Sequence, residues 1–122
     1  MENLATLQNV AIILGLAALG GLTMAIIRLS GTPRPPDWMP IGHGLVAATG
    51  VVLLAIVVLG GGDVPSKAKY ALGLFVLAAL GGLTINLRFH RKGLPLPIPF
   101  VLGHGSIAVI GYVLLLMAIF AS

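Results

Sequence analysis

The sequence of 122 residues contains no cysteine. Disulfides, thiolate metal sites, iron–sulfur ligation and the covalent attachment of c-type haem are therefore excluded. Charged residues are also scarce, at 8% of the chain against 58% hydrophobic residues, and the mean hydropathy is +1.11. Because a soluble protein of this size needs a far more polar surface, the composition predicts an integral membrane protein.

Acidic residues number only three, and none lies inside a long apolar stretch. No carboxylate in these stretches can pair with a histidine, and no glycine-rich phosphate loop with a lysine is present, so hydrolase or transferase chemistry is not expected. The net charge of +4 would suggest nucleic acid in a soluble domain. Here the basic residues lie in short segments between apolar stretches, and we expect no nucleic-acid partner.

Charged residues divide the chain into four long uncharged stretches. A membrane-spanning helix needs only about 20 residues, and continuous apolar runs without alternation exclude a transmembrane barrel. The sequence therefore predicts an all-α integral membrane protein, a single domain over residues 1–122 that forms an up-down bundle of four transmembrane helices. The uncharged stretches are Asn3–Ile27, Trp38–Gly62, Tyr70–Leu87 and Gly93–Ser122.

An internal repeat organises these four stretches. The octapeptide LAALGGLT occurs at Leu16–Thr23 and again, identically, at Leu77–Thr84. The offset that carries Leu16 to Leu77 is here called the repeat offset. It predicts two tandem two-helix repeats, at about 4–61 and 67–122. Because each repeat holds an even number of spans, the copies should share one orientation and be related by a pseudo-twofold axis along the membrane normal.

The distribution of basic residues predicts the orientation in the membrane. The segments after the first and third spans carry five basic residues against Asp37, whereas the opposite side has Lys67 and Lys69 against Glu2 and Asp63. Basic residues in short loops favour the cytoplasm. We therefore expect a multi-pass protein of the cytoplasmic membrane with both termini outside.

The repeat offset also relates Gly42-His43-Gly44 to Gly103-His104-Gly105. A polar residue inside a membrane helix is costly without a partner, so each histidine is a functional candidate. In an up-down bundle the second and fourth helices lie across a diagonal of roughly 11–14 Å, which suits two imidazoles reaching one iron from opposite sides. The alternative is that each imidazole caps a carbonyl, bridges two helices or points to water at the interface.

Glycines accompany both histidines at matching depths. Glycine can leave a flat slot for a haem, or it can allow two helices to cross closely, and the two uses are compatible. The candidates for lining such a slot are Gly42, Gly44, Gly50, Gly20 and Gly21 in the first repeat and Gly103, Gly105, Gly111, Gly81 and Gly82 in the second.

Two arginines end the first and third spans on the side of the histidines. Arg28 and Arg88 could pair with haem propionates, which favour bidentate arginine partners. They could equally serve the positive-inside rule and contact lipid phosphates.

His43 and His104, with their glycines, give the chain a resemblance to small membrane b-type cytochromes. In that family a four-helix bundle holds haem between paired histidines, and electrons pass to or from a quinone. The resemblance implies one haem b with His43 and His104 as metal ligands. It covers the bundle in outline, and only one haem is implied because the other half of the spans lacks histidine.

The leading hypothesis is thus an electron-transfer protein rather than a classical enzyme, exchanging electrons with a quinone or a partner subunit. One alternative is a non-catalytic assembly subunit that packs in a larger membrane complex. Another is an oligomeric transporter or channel with a histidine-lined path. Membrane lipid, and a larger complex or further copies of the chain, are the other expected partners.

Overall fold

A computed structural model describes residues 2–121, and within that range the chain is helical with no strand. The helices are α1 (Glu2–Leu29), α2 (Trp38–Leu59), α3 (Ser66–Ile85), a π-helical turn (Asn86–His90) that continues α3, and α4 (Ile98–Phe120). All four long helices have the length and hydropathy needed to cross a membrane. The predicted all-α, multi-pass membrane fold is confirmed at this level. Met1 and Ser122, the ends of the predicted domain, lie outside the described residues.

The helix ends differ from the uncharged stretches in two places. α3 begins at Ser66, so Lys67 and Lys69 lie within its first turn. α4 begins only at Ile98, because Gly93 adopts a positive φ of 72° and the prolines that follow cannot continue a helix from it. Charge therefore marks the ends of the spans only approximately.

The four helices form a closed circuit of neighbours. α1 packs against α2 and α4, and α3 packs against α4 and α2. Consequently α2 and α4, which carry the two candidate histidines, lie across a diagonal of the bundle, as expected for up-down connections.

The buried core is concentrated in the half of the bundle away from the histidines. There Tyr112 of α4 donates a hydrogen bond from its hydroxyl to the Ala11 carbonyl of α1, at 2.8 Å. Towards the histidines the helices are more exposed and rich in glycine. Fully buried large side chains in the packed half are Leu7, Val10, Leu54 and Leu115.

The opposite end, carrying segments 30–37 and 91–97, is here called the basic end. Its two segments are joined by hydrogen bonds: Arg28 Nε donates to the Leu96 carbonyl at 2.7 Å, and the Leu96 amide donates to the Pro33 carbonyl at 3.1 Å. Leu96 is buried. These contacts fix the two segments against each other above the histidines.

Candidate functional site

The structure brings His43 and His104 together from the diagonal helices. Their ring centroids are 6.1 Å apart, and the ring planes are inclined at 83°. His43 is the sixth residue of α2 and His104 the seventh of α4, so both lie near the basic end of their spans. Both side chains are half-buried.

Each imidazole is fixed by a hydrogen bond to a backbone carbonyl inside the preceding helix. His43 Nδ1 lies 2.8 Å from the Ala17 oxygen, and His104 Nδ1 lies 2.7 Å from the Ala78 oxygen. A carbonyl only accepts hydrogen bonds, so Nδ1 must carry the proton in both rings. In the neutral tautomer the lone pair is then on Nε2, which is the atom that remains for a metal.

Glycine on the neighbouring helix makes this close approach possible. A Cβ at position 21 would lie 3.0 Å from His43 Cε1, and a Cβ at position 82 would lie 2.9 Å from His104 Cε1. Real carbon atoms in contact are about 3.5–4.0 Å apart. Gly21 and Gly82 therefore form flat seats for the imidazoles. Gly20 and Gly81, beside them, would tolerate a Cβ at ordinary contact distance.

The glycines that bracket the histidines have open space around them. A Cβ at Gly42, Gly44, Gly103 or Gly105 would have no heavy atom within 4 Å other than its chain neighbours and its own helix backbone. Gly42 also lines, with His43, a groove of about 180 Å³ between α1 and α2. For all four bracketing glycines, a role in lining a cofactor stays a prediction.

Gly50 and Gly111 are buried in helix contacts. A Cβ at position 50 would lie 2.5 Å from Leu14 Cδ2, and one at position 111 would lie 3.4 Å from the Phe75 ring. Apolar side chains of α1 and α3 fill the space beside these glycines. The structure thus shows the helix-crossing use of these glycines, and their role in lining a cofactor stays a prediction.

The two candidate arginines have different surroundings. Arg28 already donates from Nε to the Leu96 carbonyl of the opposite segment. Arg88 is exposed within the π-helical turn. The Arg28 bond does not involve the histidine pair. For both arginines, a role beside haem propionates stays a prediction.

The donor set of the site consists of two imidazoles. Among the described residues no group of three or more histidine, aspartate or glutamate side chains is placed to hold a metal ion. A bare metal ion in a protein typically takes four or more ligands. Two imidazoles suit a metal whose other ligands come with it.

No family model, curated protein sequence or solved structure matches the chain.

Two features of this region are only partly predicted by the sequence. A carbonyl was one of the alternative partners for each imidazole, but the acceptors Ala17 and Ala78 were not identified, although each lies four residues before Gly21 or Gly82 in the repeated octapeptide. The second is His90, whose basic neighbours in the sequence do not indicate that it is buried. It is only 5% exposed, and its Nε2 donates to the Pro35 carbonyl at 3.1 Å.

Proposed function

We propose that the protein is a one-haem, b-type electron carrier in which His43 and His104 would hold the haem iron. The observation that supports this most is the arrangement of the pair. Both Nδ1 atoms are committed to helix carbonyls, and the rings are 6.1 Å apart. Nε2 is left as the coordinating atom on each ring.

The two rings lie close enough for one haem to be held by both. Their centroids are 6.1 Å apart and their planes are inclined at 83°. Haem iron takes nitrogen ligands from histidine side chains, so His43 and His104 would be the residues that hold it.

The residues of the chain would orient the ligands. The bonds to Ala17 and Ala78 hold each ring in one tautomer and one orientation, as carbonyl partners of metal-bound histidines do. Gly21 and Gly82 keep the rings against the helices. A bound haem would supply a one-electron couple, and two histidine ligands favour electron transfer over oxygen binding.

We also infer that the bundle consists of two tandem two-helix repeats related by an axis along the membrane normal. The support is that corresponding contacts recur at the repeat offset: His43 binds a carbonyl 26 residues earlier, and so does His104. The buried positions Gly50 and Leu54 correspond to Gly111 and Leu115.

The basic end is proposed to face the cytoplasm, with both termini outside the cytoplasmic membrane. Five arginine and lysine residues cluster there, in agreement with the positive-inside rule. Electrons would then be exchanged with a quinone or a partner subunit near the cytoplasmic face. The orientation is tested by fusing a reporter to the C-terminus. If a reporter that works only in the cytoplasm is active in this fusion, the proposed orientation is wrong.

The haem proposal is tested by the absorption spectrum of protein purified from haem-replete cells, before and after reduction. The wild-type protein should give a reducible b-type spectrum, and His43→Ala or His104→Ala should abolish or grossly alter it. His90→Ala is the matched control, because this third histidine lies outside the pair and its loss should leave the spectrum unchanged. Circular dichroism checks that every variant remains helical.

A folded but colourless wild-type protein would overturn the proposal. So would retention of the spectrum in both pair variants. If the protein is colourless, the imidazole–carbonyl bonds would serve only to join neighbouring helices. Co-purification with other membrane subunits would then favour the assembly role.

A further inference from the structure

A second site lies at the basic end, outside the histidine pair. The π-helical turn, the turn that follows it and segment 30–37 surround an open cavity of about 760 Å³. This volume is in the range of small-molecule sites, about 300–1,000 Å³. The polar and charged residues that line it are Arg34, Asp37, Asn86, His90, Arg91 and Lys92.

The wall of this cavity is held by hydrogen bonds within the chain. His90, which is buried, donates from Nε2 to the Pro35 carbonyl, and Arg34 donates from a guanidinium nitrogen to the His90 carbonyl at 3.2 Å. The Arg91 amide donates to the Asn86 carbonyl at 2.9 Å, which closes the π-helical turn. Such turns are rare and occur frequently at functional sites.

The charges of the cavity are unbalanced. Three basic side chains face one carboxylate, that of Asp37, which lies 3.8 Å from Arg34 and 3.7 Å from His90 Nε2. Across the part of the chain that the structure describes, the side chains of Arg91 and Lys92 form no ion pair or hydrogen bond, and both are exposed. Two adjacent cations therefore remain for a ligand.

The two cations without an ion pair belong to one half of the chain. Neither Arg91 nor Lys92 has a basic counterpart in the first half: the equivalent residues are Ser30 and Gly31 at the repeat offset, or Leu29 and Ser30 when Gly93 is aligned with Gly31. The positive-inside rule requires basic residues at this end, but it requires neither a buried histidine nor a cavity. The arrangement calls for a ligand of its own.

We propose that this cavity binds a phosphate group that carries net negative charge. The guanidinium fork of arginine matches phosphate oxygens, and lysine adds a point charge. Because the cavity lies at the end of the membrane spans, an anionic phospholipid headgroup is the expected source, as in other basic pockets between transmembrane helices. A soluble phosphate ester would offer the same chemistry.

The test is native mass spectrometry of the purified full chain in neutral detergent, titrated separately with phosphatidylglycerol, phosphatidylcholine and soluble glycerol phosphate. Wild-type protein should retain one phosphatidylglycerol. Binding should weaken about 25-fold in Arg91→Gln/Lys92→Gln, because each basic residue near a membrane surface contributes about a factor of five. The matched control is Lys67→Gln/Lys69→Gln, which removes the same charge at the opposite end and should bind as the wild type does.

The variant Arg91→Lys/Lys92→Arg keeps both charges and exchanges the two side chains. It should retain phosphatidylglycerol binding, which would show that the charges determine the binding. Glycerol phosphate binding that depends on Arg91 and Lys92, without phosphatidylglycerol binding, would support the phosphate site and identify a soluble source. Equal weakening in the two double glutamine variants would overturn the proposal. Equal affinity for phosphatidylcholine and phosphatidylglycerol would do the same. The site does not depend on haem, and Arg91→Gln/Lys92→Gln should leave the absorption spectrum unchanged.

Discussion

Replacing Gly82 by alanine should remove His104 from its seat. The added Cβ would lie 2.9 Å from His104 Cε1, 3.4 Å from Nδ1 and 3.5 Å from Nε2. Ordinary carbon contacts are about 3.5–4.0 Å, so the ring must move by roughly 0.6–1 Å. The Nδ1 bond to the Ala78 carbonyl, now 2.7 Å, would then exceed the usual hydrogen-bond range of about 2.7–3.2 Å.

The expected cost follows from three contributions. Overpacking costs about 1–3 kcal/mol, and a hydrogen bond between helices in a membrane contributes about 0.6–2 kcal/mol. Alanine offsets about 1 kcal/mol of this, because it is a better helix former than glycine. The net destabilisation is roughly 0.6–4 kcal/mol.

The neighbouring Gly81 provides the matched control. A Cβ there would lie 3.8 Å from His104 Nδ1, an ordinary contact, so Gly81→Ala should gain helix propensity without moving the ring. Thermal unfolding followed by circular dichroism should separate the two variants by several degrees. If His104 holds a haem as proposed, Gly82→Ala should also lower the haem absorbance per chain. If Gly81→Ala and Gly82→Ala have equal melting temperatures and equal absorbance, His104 does not need glycine at position 82.

Two further predictions concern packing in the other half of the bundle. Tyr112→Phe should lower stability by about 1 kcal/mol, measured by thermal unfolding, because the hydroxyl bond to the Ala11 carbonyl is lost; an unchanged melting temperature would show that this bond contributes nothing. Gly50→Ala should lower the free energy of unfolding by about 1–3 kcal/mol through its contact with Leu14. Gly50→Ala combined with Leu14→Ala should be less destabilising than the sum of the two single changes. Strict additivity would contradict a direct contact.

Much of the fold follows from the sequence because membrane insertion is a strong constraint. Four uncharged stretches of sufficient length leave few alternatives once every backbone group must be satisfied within the membrane. The start of α2 at Trp38 was marked by the charge of Asp37. The start of α4 was not marked, since the turn at Gly93 and the prolines after it add no charge.

The spacing of two glycines in the sequence indicates the π-helical turn. Gly31 and Gly93 both follow the end of a helix and have positive φ. The repeat offset that carries His43 to His104 would carry Gly31 to position 92, yet the glycine stands one position later. One extra residue therefore lies between Thr84 and Gly93. A π-helical turn accommodates one additional residue in an α-helix, and it lies in that interval.

The partners of the histidines could not be predicted from spacing alone. Pattern reasoning identified His43 and His104 as facing residues, but it assigned the nearby glycines to haem clearance or to helix crossing. The carbonyl bond of His43 to Ala17 depends on the rotation of α1 against α2, which the weakly amphipathic spans do not reveal. Burial in a membrane bundle is not marked by polarity, because the lipid-facing side is apolar as well.

The carbonyls of Ala17 and Ala78 explain why the repeated octapeptide and the repeated histidine belong together. In an α-helix each of these oxygens already accepts the amide of the residue four positions later, which is Gly21 or Gly82. The second donor, the histidine Nδ1, approaches past this later residue, where a Cβ would lie 3.0 Å from His43 Cε1 or 2.9 Å from His104 Cε1. Glycine there exposes the carbonyl, and histidine on the neighbouring helix uses it. Helix crossing alone would need the glycine but not the histidine, so the combination is explained by the bond that each imidazole makes to the carbonyl.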